Sequence, residues 1–238
     1  MSAEHPTPAV EERRQTIVAA ALTLLDEDGF DKLSLRRLAT HLGMHAPGLY
    51  WYIESKQDLY DLMAEAILTP RFAALLPVAP DMSWETWLVE LACTTRQALL
   101  SHRDGARVAG SAFLLRTNAL PPVIETSLEI LEASGFDRLV ALGATMTAIR
   151  YAIGSALGEQ VSPFAAIGDD DEKMKAIRSL GASMEAAPWP RMADAYRQLF
   201  ESDLNPTGGV RDRDRVFRWS VQMFVRGLAT SSSFEAPK

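Results

Sequence analysis

Cysteine is almost missing from this chain of 238 residues: Cys93 is the only one, so no disulfide can close within it and a reducing compartment, the cytoplasm, is the expected home. Long apolar runs are missing too. No stretch reaches the roughly 18 uncharged apolar residues of a membrane span, and residues 1–16 are charged and lack a signal-peptide core. No membrane partner is expected. The patterns of common enzyme chemistry are also absent: no H-E-x-x-H, no G-x-S-x-G, no Gly-rich phosphate loop, and no histidine placed by sequence to activate Cys93. The chain therefore reads as a non-enzyme without a cofactor or a metal site. Positive charge is scarce overall, with 24 Lys+Arg against 31 Asp+Glu and a net charge of -7, the wrong sign for a protein that coats nucleic acid indiscriminately.

What the sequence does contain is helical periodicity. At 47% hydrophobic content it can bury one or two sizeable cores, and an all-α fold is expected, with a small N-terminal domain and a larger second one. Residues 1–9, with Pro6 and Pro8, read as a disordered arm, residues 10–56 as the first domain, and residues 69–234 as the second. The first helix covers 10–28, apolar at Ile17, Ala20, Ala21, Leu24 and Leu25 and stopped by Gly29. A helix over 56–68 connects the domains, and Pro70, Pro77 and Pro80 break the pattern before Ser83 caps a helix over 84–101. A short segment over 104–115 and helices over 122–133, 137–160, 191–202 and 214–230 follow. Residues 162–190, with Asp169, Asp170, Asp171 and Glu172, read as a mobile insertion with a helical stretch near 173–180.

The densest information lies in residues 34–56, SLRRLATHLGMHAPGLYWYIESK. Leu35, Leu38, Ala39 and Leu42 fall on one side of a helix and leave Arg36 and Arg37 outward. Ser34 suits an N-cap, and Gly43 can take the positive φ of a sharp turn. A second short helix starts near His45 to Pro47, where proline fits the first turn, and its body is Gly48-Leu49-Tyr50-Trp51-Tyr52. Ser55 with Asp58 three residues on resembles a capping box for the connecting helix. The unit is helix, turn, helix, then a long helix.

L-x-x-L-A-x-x-L-G followed by L-Y-W-Y and a lysine four residues later resembles the DNA-binding domain of the tetracycline-repressor (TetR) family. The resemblance implies that Arg36 reaches a base edge and that Pro47, Tyr50, Trp51, Tyr52 and Lys56 belong to the recognition helix and its phosphate grip. Arg37, His45, Ala46 and Gly48 complete the expected DNA surface, with His41 and His45 near phosphate. Elementary chemistry agrees: an arginine fork matches guanine O6 and N7, whereas lysine and tyrosine hydroxyl anchor phosphates without reading sequence. Leu49 and Ile53, four apart, form the inward stripe and leave Tyr50 and Tyr52 exposed; the plainer alternative makes the aromatics core residues of a small bundle. Between Lys32 and Lys56 four basic residues face one acidic residue, Glu54, so charge concentrates where the motif needs it.

The likeness continues into the second domain through LLSHRDGARV at 99–108, MADAYRQLFES and MFVRGL, which resemble segments of the tetracycline-binding members of the family. By that resemblance the helices 137–160 and 214–230 pair with their copies as a four-helix bundle. Composition adds a small-residue face at Ala141, Ala144, Ala148, Ala152, Ser155 and Ala156, and an apolar stripe at Phe217, Val221, Phe224, Val225 and Leu228, which either a dimer or an internal core would use. A two-fold dimer would present recognition helices roughly 34–36 Å apart or somewhat more, implying a palindromic operator.

The resemblance implies a metal-chelated drug whose ion takes a histidine just after LLSHRDGARV, but Ala109 stands there and has no lone pair to give. Phe72 and Leu91 likewise replace polar drug contacts. An apolar or aromatic small-molecule effector without a metal is expected, in a pocket lined by Phe72, Trp87, Leu91, Thr95, Ala109, Ala112, Phe113, Met146, Arg150 and Tyr151. His102, Arg103 and Asp104 read as a hydrogen-bonding turn that couples the pocket to the connecting helix. The rival reading is a helical small-molecule-binding protein with weak or no DNA function, since Ala46 and Gly48 lack base-reading reach.

Overall fold

Side-chain caps set the first turns of the fold. Ser34 Oγ accepts the Arg37 N–H, Ser55 Oγ that of Asp58, Ser83 Oγ that of Thr86 and Asp137 Oδ1 that of Leu139, at 3.2, 3.1, 3.2 and 2.8 Å. Each satisfies an amide that the helix itself leaves orphaned. The computed structural model describes residues 8–162, 188–201 and 210–230, with isolated positions between 172 and 183. Among them it forms ten α-helices and no strand: α1 (Pro8–Asp28), α2 (Leu35–His41), α3 (Ala46–Leu49), α4 (Lys56–Leu75), α5 (Trp84–Leu100), α6 (Gly105–Ser111), α7 (Leu120–Ala133), α8 (Arg138–Val161), α9 (Pro190–Glu201) and α10 (Val210–Thr230). Short 3-10 turns at Phe30–Lys32 and Leu114–Arg116 follow α1 and α6.

Several predicted boundaries move, the last helix starting at Val210 and not at 214, and three of the shifts have a local reason. α1 begins at Pro8, inside the expected arm, because proline's fixed φ and missing N–H suit a first helical turn; residues 1–7 lie outside the described residues. α3 stops at Leu49, so Tyr50, Trp51 and Tyr52 occupy a turn and not a helix body. α4 does not end at 68 but runs to Leu75 straight through Pro70. Burial of Ile67, Leu68 and Phe72 on both sides of that proline offsets the lost hydrogen bond, and Pro70 itself is exposed, so its missing donor faces away from the core. The expected helical stretch at 173–180 falls largely outside the described residues.

The second domain is organised around α5, which packs on α8, α4 and α10. Trp87 is fully buried there and donates from Nε1 to Ser127 Oγ at 2.8 Å, while Ser127 donates to the Val123 carbonyl. Ala141, Ala144, Ala148, Ala152 and Ala156 are buried within the chain, as are Phe217, Val221 and Val225. The small-residue face of α8 and most of the α10 stripe therefore serve the internal core, because alanine lets α8 lie close to α5. The outward side of α8 carries a different set of small residues, Gly143, Thr147, Gly154 and Gly158, and α10 exposes Trp219 and Met223. By length and composition alone α8 is apolar enough to cross a membrane, but its alanine face is buried inside this fold.

A buried ion network ties these helices together. Arg96 on α5 is 2% exposed and donates from Nε and one terminal nitrogen to both oxygens of Glu159 on α8, at 2.6 and 2.8 Å, and from the other to Asp214 on α10 at 2.5 Å. Its guanidinium also lies 5.0 Å from the centre of the Phe217 ring. Burial alone would lower the Arg96 pKa, but its hydrogen bonds to Glu159 and Asp214 outweigh it and raise the value.

Candidate DNA-binding surface and effector site

Leu38, Ala39, Leu49 and Ile53 are buried, and these four fix which side chains of the helix-turn-helix can point outward. Gly43, at φ 64°, makes the turn between α2 and α3. Behind them α1 acts as a brace: Arg14 Nε donates to the Tyr52 carbonyl at 2.8 Å, and an Arg13 terminal nitrogen lies 3.3 Å from Met44 Sδ. The α4 cap closes the unit, with Asp58 Oδ2 accepting the Glu54 N–H at 2.9 Å. Neither Arg13 nor Arg14 was singled out by the motif, because their role is set by the packing of α1 and not by local spacing.

What remains outside is a coherent surface. Arg36, His45, Ala46, Pro47, Tyr50, Trp51 and Lys56 are exposed, and Gly48 and Tyr52 are half-buried. Trp51 is the extreme case at 86% exposed, so Tyr50 and Trp51 form the outward aromatic pair, not Tyr50 and Tyr52 as expected; the reason is that the chain leaves helical phase at Leu49. Lys56 Nζ sits 5.4 Å from the Tyr60 ring, which steadies its stem beside the cluster. Arg36 has no side-chain partner among the described residues, whereas Arg37 is bound to Asp28 at the end of α1. Arg37 thus belongs first to the scaffold. Around Arg36 an open hollow lined by Lys32, Ser34, Arg37, Thr40 and His41 extends the basic surface along the side of α2.

The turn at His102 to Asp104 joins the two domains, but its partner is α1 and not the connecting helix α4. Asp26 receives the Arg103 N–H at 2.8 Å and faces His102 Nδ1 at 2.9 Å. Asp104, at φ 57°, accepts the Phe30 N–H at 2.9 Å, and Arg107 forms a two-pronged pair with Asp31 at 2.6 and 3.0 Å while its guanidinium covers the Phe30 ring. The Arg107 hydrogen bond holds the Asp31 carboxyl below its ordinary value. This contribution is complete above the ordinary carboxylate range and fades as pH falls through the lowered value. α4 is bound instead to the far end of α6. Asp61, itself buried, accepts the Phe113 N–H at 2.7 Å and Gln57 Nε2 at 2.9 Å, and Gln57 also donates to the Ser111 carbonyl at 2.8 Å. α6 therefore touches the DNA-binding domain at both ends.

The expected effector residues divide into two groups. Phe72, Trp87, Leu91, Thr95 and Ala109 are buried in the core that α4, α5 and α6 share, with Ala112 half-buried at its edge and Met146 half-buried on α8. Phe113 is 56% exposed, Arg150 is exposed on α8, and Tyr151 stacks on Phe217 with ring centres 5.4 Å apart beside a cavity of about 120 Å³ between α8 and α10. Phe113 and Arg150 are thus not joined to the buried group, since α6 ends at Ser111 and position 150 falls on the outward side of α8. Thr95 Oγ1 donates to the Leu91 carbonyl at 2.8 Å, which leaves only its acceptor capacity for a ligand. Among the described residues no group of three His, Cys, Asp or Glu side chains is placed to hold a metal ion, and at position 109 a buried methyl offers no donor. Ser127, the hydrogen-bonding partner of Trp87, was not anticipated; no sequence signal marks it.

Comparison with known proteins fits this arrangement. Residues 17–63 match the family described as "Bacterial regulatory proteins, tetR family", and residues 76–232 match "Tetracyclin repressor-like, C-terminal domain". The chain is 34% identical to the tetracycline repressor protein class A from transposon 1721 of Escherichia coli, over 90% of this chain and 89% of that protein. Among solved structures it is similar to a TetR variant from Acinetobacter baumannii AYE in complex with minocycline, at TM-score 0.68 and 31% identity over 93% of this chain and 96% of that one. It is also similar to BioQ bound to its natural double-stranded DNA operator, at TM-score 0.55 and 30% identity over 62% of this chain and 85% of that one. This chain belongs to the TetR family of bacterial regulatory proteins.

Proposed function

We propose that this protein is a ligand-responsive transcriptional repressor, which binds a palindromic operator as a homodimer and leaves it when an apolar or aromatic effector fills the second domain. The observation that carries the reading is the surface of Arg36, Tyr50, Trp51 and Lys56, turned outward together on a helix-turn-helix whose own core is complete without them. Exposed aromatics of this size beside lysine have no role in solubility. The net negative charge of the chain keeps non-specific DNA affinity low, so binding depends on these contacts. Dimerisation through α8 and α10 is supported by the outward side of α8, where Gly143, Thr147, Gly154 and Gly158 permit close helix approach on either side of exposed Arg150 and Tyr151, and by exposed Trp219 and Met223 on α10. A repressor of this kind works in the cytoplasm.

Electrophoretic shift with the DNA flanking its own gene tests the reading. Arg36→Ala should relax preference at one base position and cost about 1–3 kcal/mol, and Lys56→Ala should weaken all sequences alike and reduce the salt slope by about one. Equal loss on every sequence from Arg36→Ala would contradict its base-reading role. No shift with any DNA would favour the rival reading, a small-molecule-binding protein, which the short side chains at Ala46 and Gly48 suggest.

Ala109 argues against metal-chelated drugs, and the core of Phe72, Trp87 and Leu91 favours an apolar effector. Release requires the effector to bind more tightly to the form whose recognition helices are wrongly spaced, with coupling of about 1–3 kcal/mol per site. α4 is the lever in this scheme, because Gln57 donates to the Ser111 carbonyl at the end of α6 and Asp61 accepts the Phe113 N–H just beyond it. Spin labels at Tyr50 of both protomers should report a changed separation on effector binding; an unchanged separation with weakened DNA binding would rule the lever out.

A further inference from the structure

α1 and α4 leave between them an open groove of about 360 Å³, whose walls come from these two helices alone. The α1 wall repeats at 11, 14, 15, 18 and 22 and the α4 wall at 62, 65, 66, 69 and 70, the spacing of one face on each helix. Val18, Leu22, Leu62 and Ala66 make it apolar along its length. The volume falls within the range of small-molecule sites, and none of the residues taken for the effector pocket of the second domain lines it.

Pro70 gives this groove a polar feature. A helical residue four positions before a proline keeps its carbonyl but loses the N–H that would bond it. Here that residue is Ala66, and Ala66 and Pro70 both line the groove, so an acceptor deprived of its helical donor stands in the wall. In a helix that continues to Leu75, the proline leaves a place for a donor from outside the chain.

The charge around this acceptor has one sign. Glu11 is exposed and has no ionic partner among the described residues. Glu65, half-buried, pairs with the neutral Asn118, accepting its backbone N–H at 2.9 Å and its side-chain amide at 3.0 Å. Arg14, the cation that lines the groove, is turned to the Tyr52 carbonyl at 2.8 Å and to Asp58 at 3.8 Å. Two carboxylates and a free acceptor beside an apolar surface complement an occupant with an apolar body and a positively charged N–H donor.

We infer that the groove between α1 and α4 is a second ligand site, which takes a lipophilic ammonium ion. Its apolar body lies on Val18, Leu22 and Leu62, its N–H bonds the Ala66 carbonyl, and Glu11 and Glu65 balance its charge. Binding there does not depend on the DNA-binding reading. An occupant would tie α1, which braces the recognition turn through Arg14, to α4, which joins the domains.

The experiment uses the full-length protein and phenylbutylammonium as the probe, beside the matching neutral alcohol and the trimethylammonium analogue, which keeps the charge but has no N–H. Amide chemical shifts of isotope-labelled protein locate each probe, and their titration gives Kd. The primary ammonium should move the amides of Val18, Leu22, Leu62 and Ala66, and the alcohol should bind about tenfold more weakly. Glu11→Gln and Glu65→Gln should each weaken the ammonium about two- to fivefold, the range of one solvated ion pair. Pro70→Ala returns an N–H to the Ala66 carbonyl. It should raise the melting temperature yet weaken the primary ammonium about fivefold, the worth of one hydrogen bond, and leave the trimethylammonium probe unchanged. An alcohol that binds as tightly as the ammonium, or equal loss of both charged probes in Pro70→Ala, overturns the inference. So does a probe that leaves the groove amides unmoved, whether it binds nowhere or only in the core around Trp87 and Leu91.

Discussion

Replacing the buried Arg96 with alanine should destabilise the second domain by about 1–3 kcal/mol, below the roughly 3–5 kcal/mol of a fully buried pair, because the carboxylates left behind are 20% and 44% exposed. The magnitude follows from what the substitution leaves behind. Glu159 accepts two hydrogen bonds from the guanidinium and Asp214 a third, and these carboxylates come from helices far apart in sequence, α8 and α10. Without the arginine Glu159 keeps Arg213 at 3.8 Å, while two negative charges face each other across a space that the Phe217 ring helped to close. Arg96→Lys should recover part of the loss and no more, because an ammonium cannot bond both oxygens of Glu159 and reach Asp214 from one plane. Arg96→Met combined with Glu159→Gln and Asp214→Asn should lie well above Arg96→Ala, since removing the whole network avoids uncompensated buried charge. Thermal unfolding followed by circular dichroism measures all three. A loss under about 1 kcal/mol for Arg96→Ala would mean that the cluster behaves like a solvated surface pair.

That network also marks where the sequence stops being readable. Helix-turn-helix geometry was legible because its determinants are local: Ser34, Gly43, Leu49, Ile53, Ser55 and Asp58 each act within four residues of their own position, and each is found doing so. Arg96 in the sequence is one more charged residue on an amphipathic helix. Its partners lie 63 and 118 positions away, and no periodicity carries that information. The same is true of Arg14 and the Tyr52 carbonyl, 38 positions apart. Pro70 misled in the opposite direction. Proline reads as a stop, but the burial of Phe72 just beyond it outweighs the local rule. The expected pocket was half legible: Phe72, Trp87, Leu91, Thr95 and Ala109 do share a core, whereas the phase of α8 puts Arg150 outside. The alanines of α8 were read correctly as a close-packing face, and only the fold could say that the partner is α5 of the same chain.

Gly105→Ala should be the most disruptive single methyl that can be added to this protein's described glycines of helix α6. A Cβ at position 105 would stand 2.3 Å from the Leu99 carbonyl oxygen and 3.2 Å from its carbon, backbone atoms that cannot turn aside as a side chain would. That carbonyl is already held by Gln160 Nε2 at 3.0 Å, and Gln160 also binds the His102 carbonyl and the Ala106 N–H. To make room, α6 must move away from the end of α5. Asp104 then loses its aim at the Phe30 amide and Arg107 its two-pronged hold on Asp31, so the clamp on α1 loosens with it. Overpacking of this kind costs about 1–3 kcal/mol, and backbone contact places Gly105 at the upper end. Gly110→Ala is the matched control: it sits in the same helix with nothing within 4 Å of the added atom, and it should be neutral or stabilising by up to about 1 kcal/mol. Amide hydrogen exchange separates a general loss from a local one. In Gly105→Ala the amides of Phe30 and Arg103 should exchange faster than the global unfolding rate accounts for, because their protection comes from the clamp and not from the α5–α8 core. Uniform acceleration across α5, α8 and α1 would show instead that α6 is a passive part of the core, and that the DNA-binding domain takes its position from α4 alone.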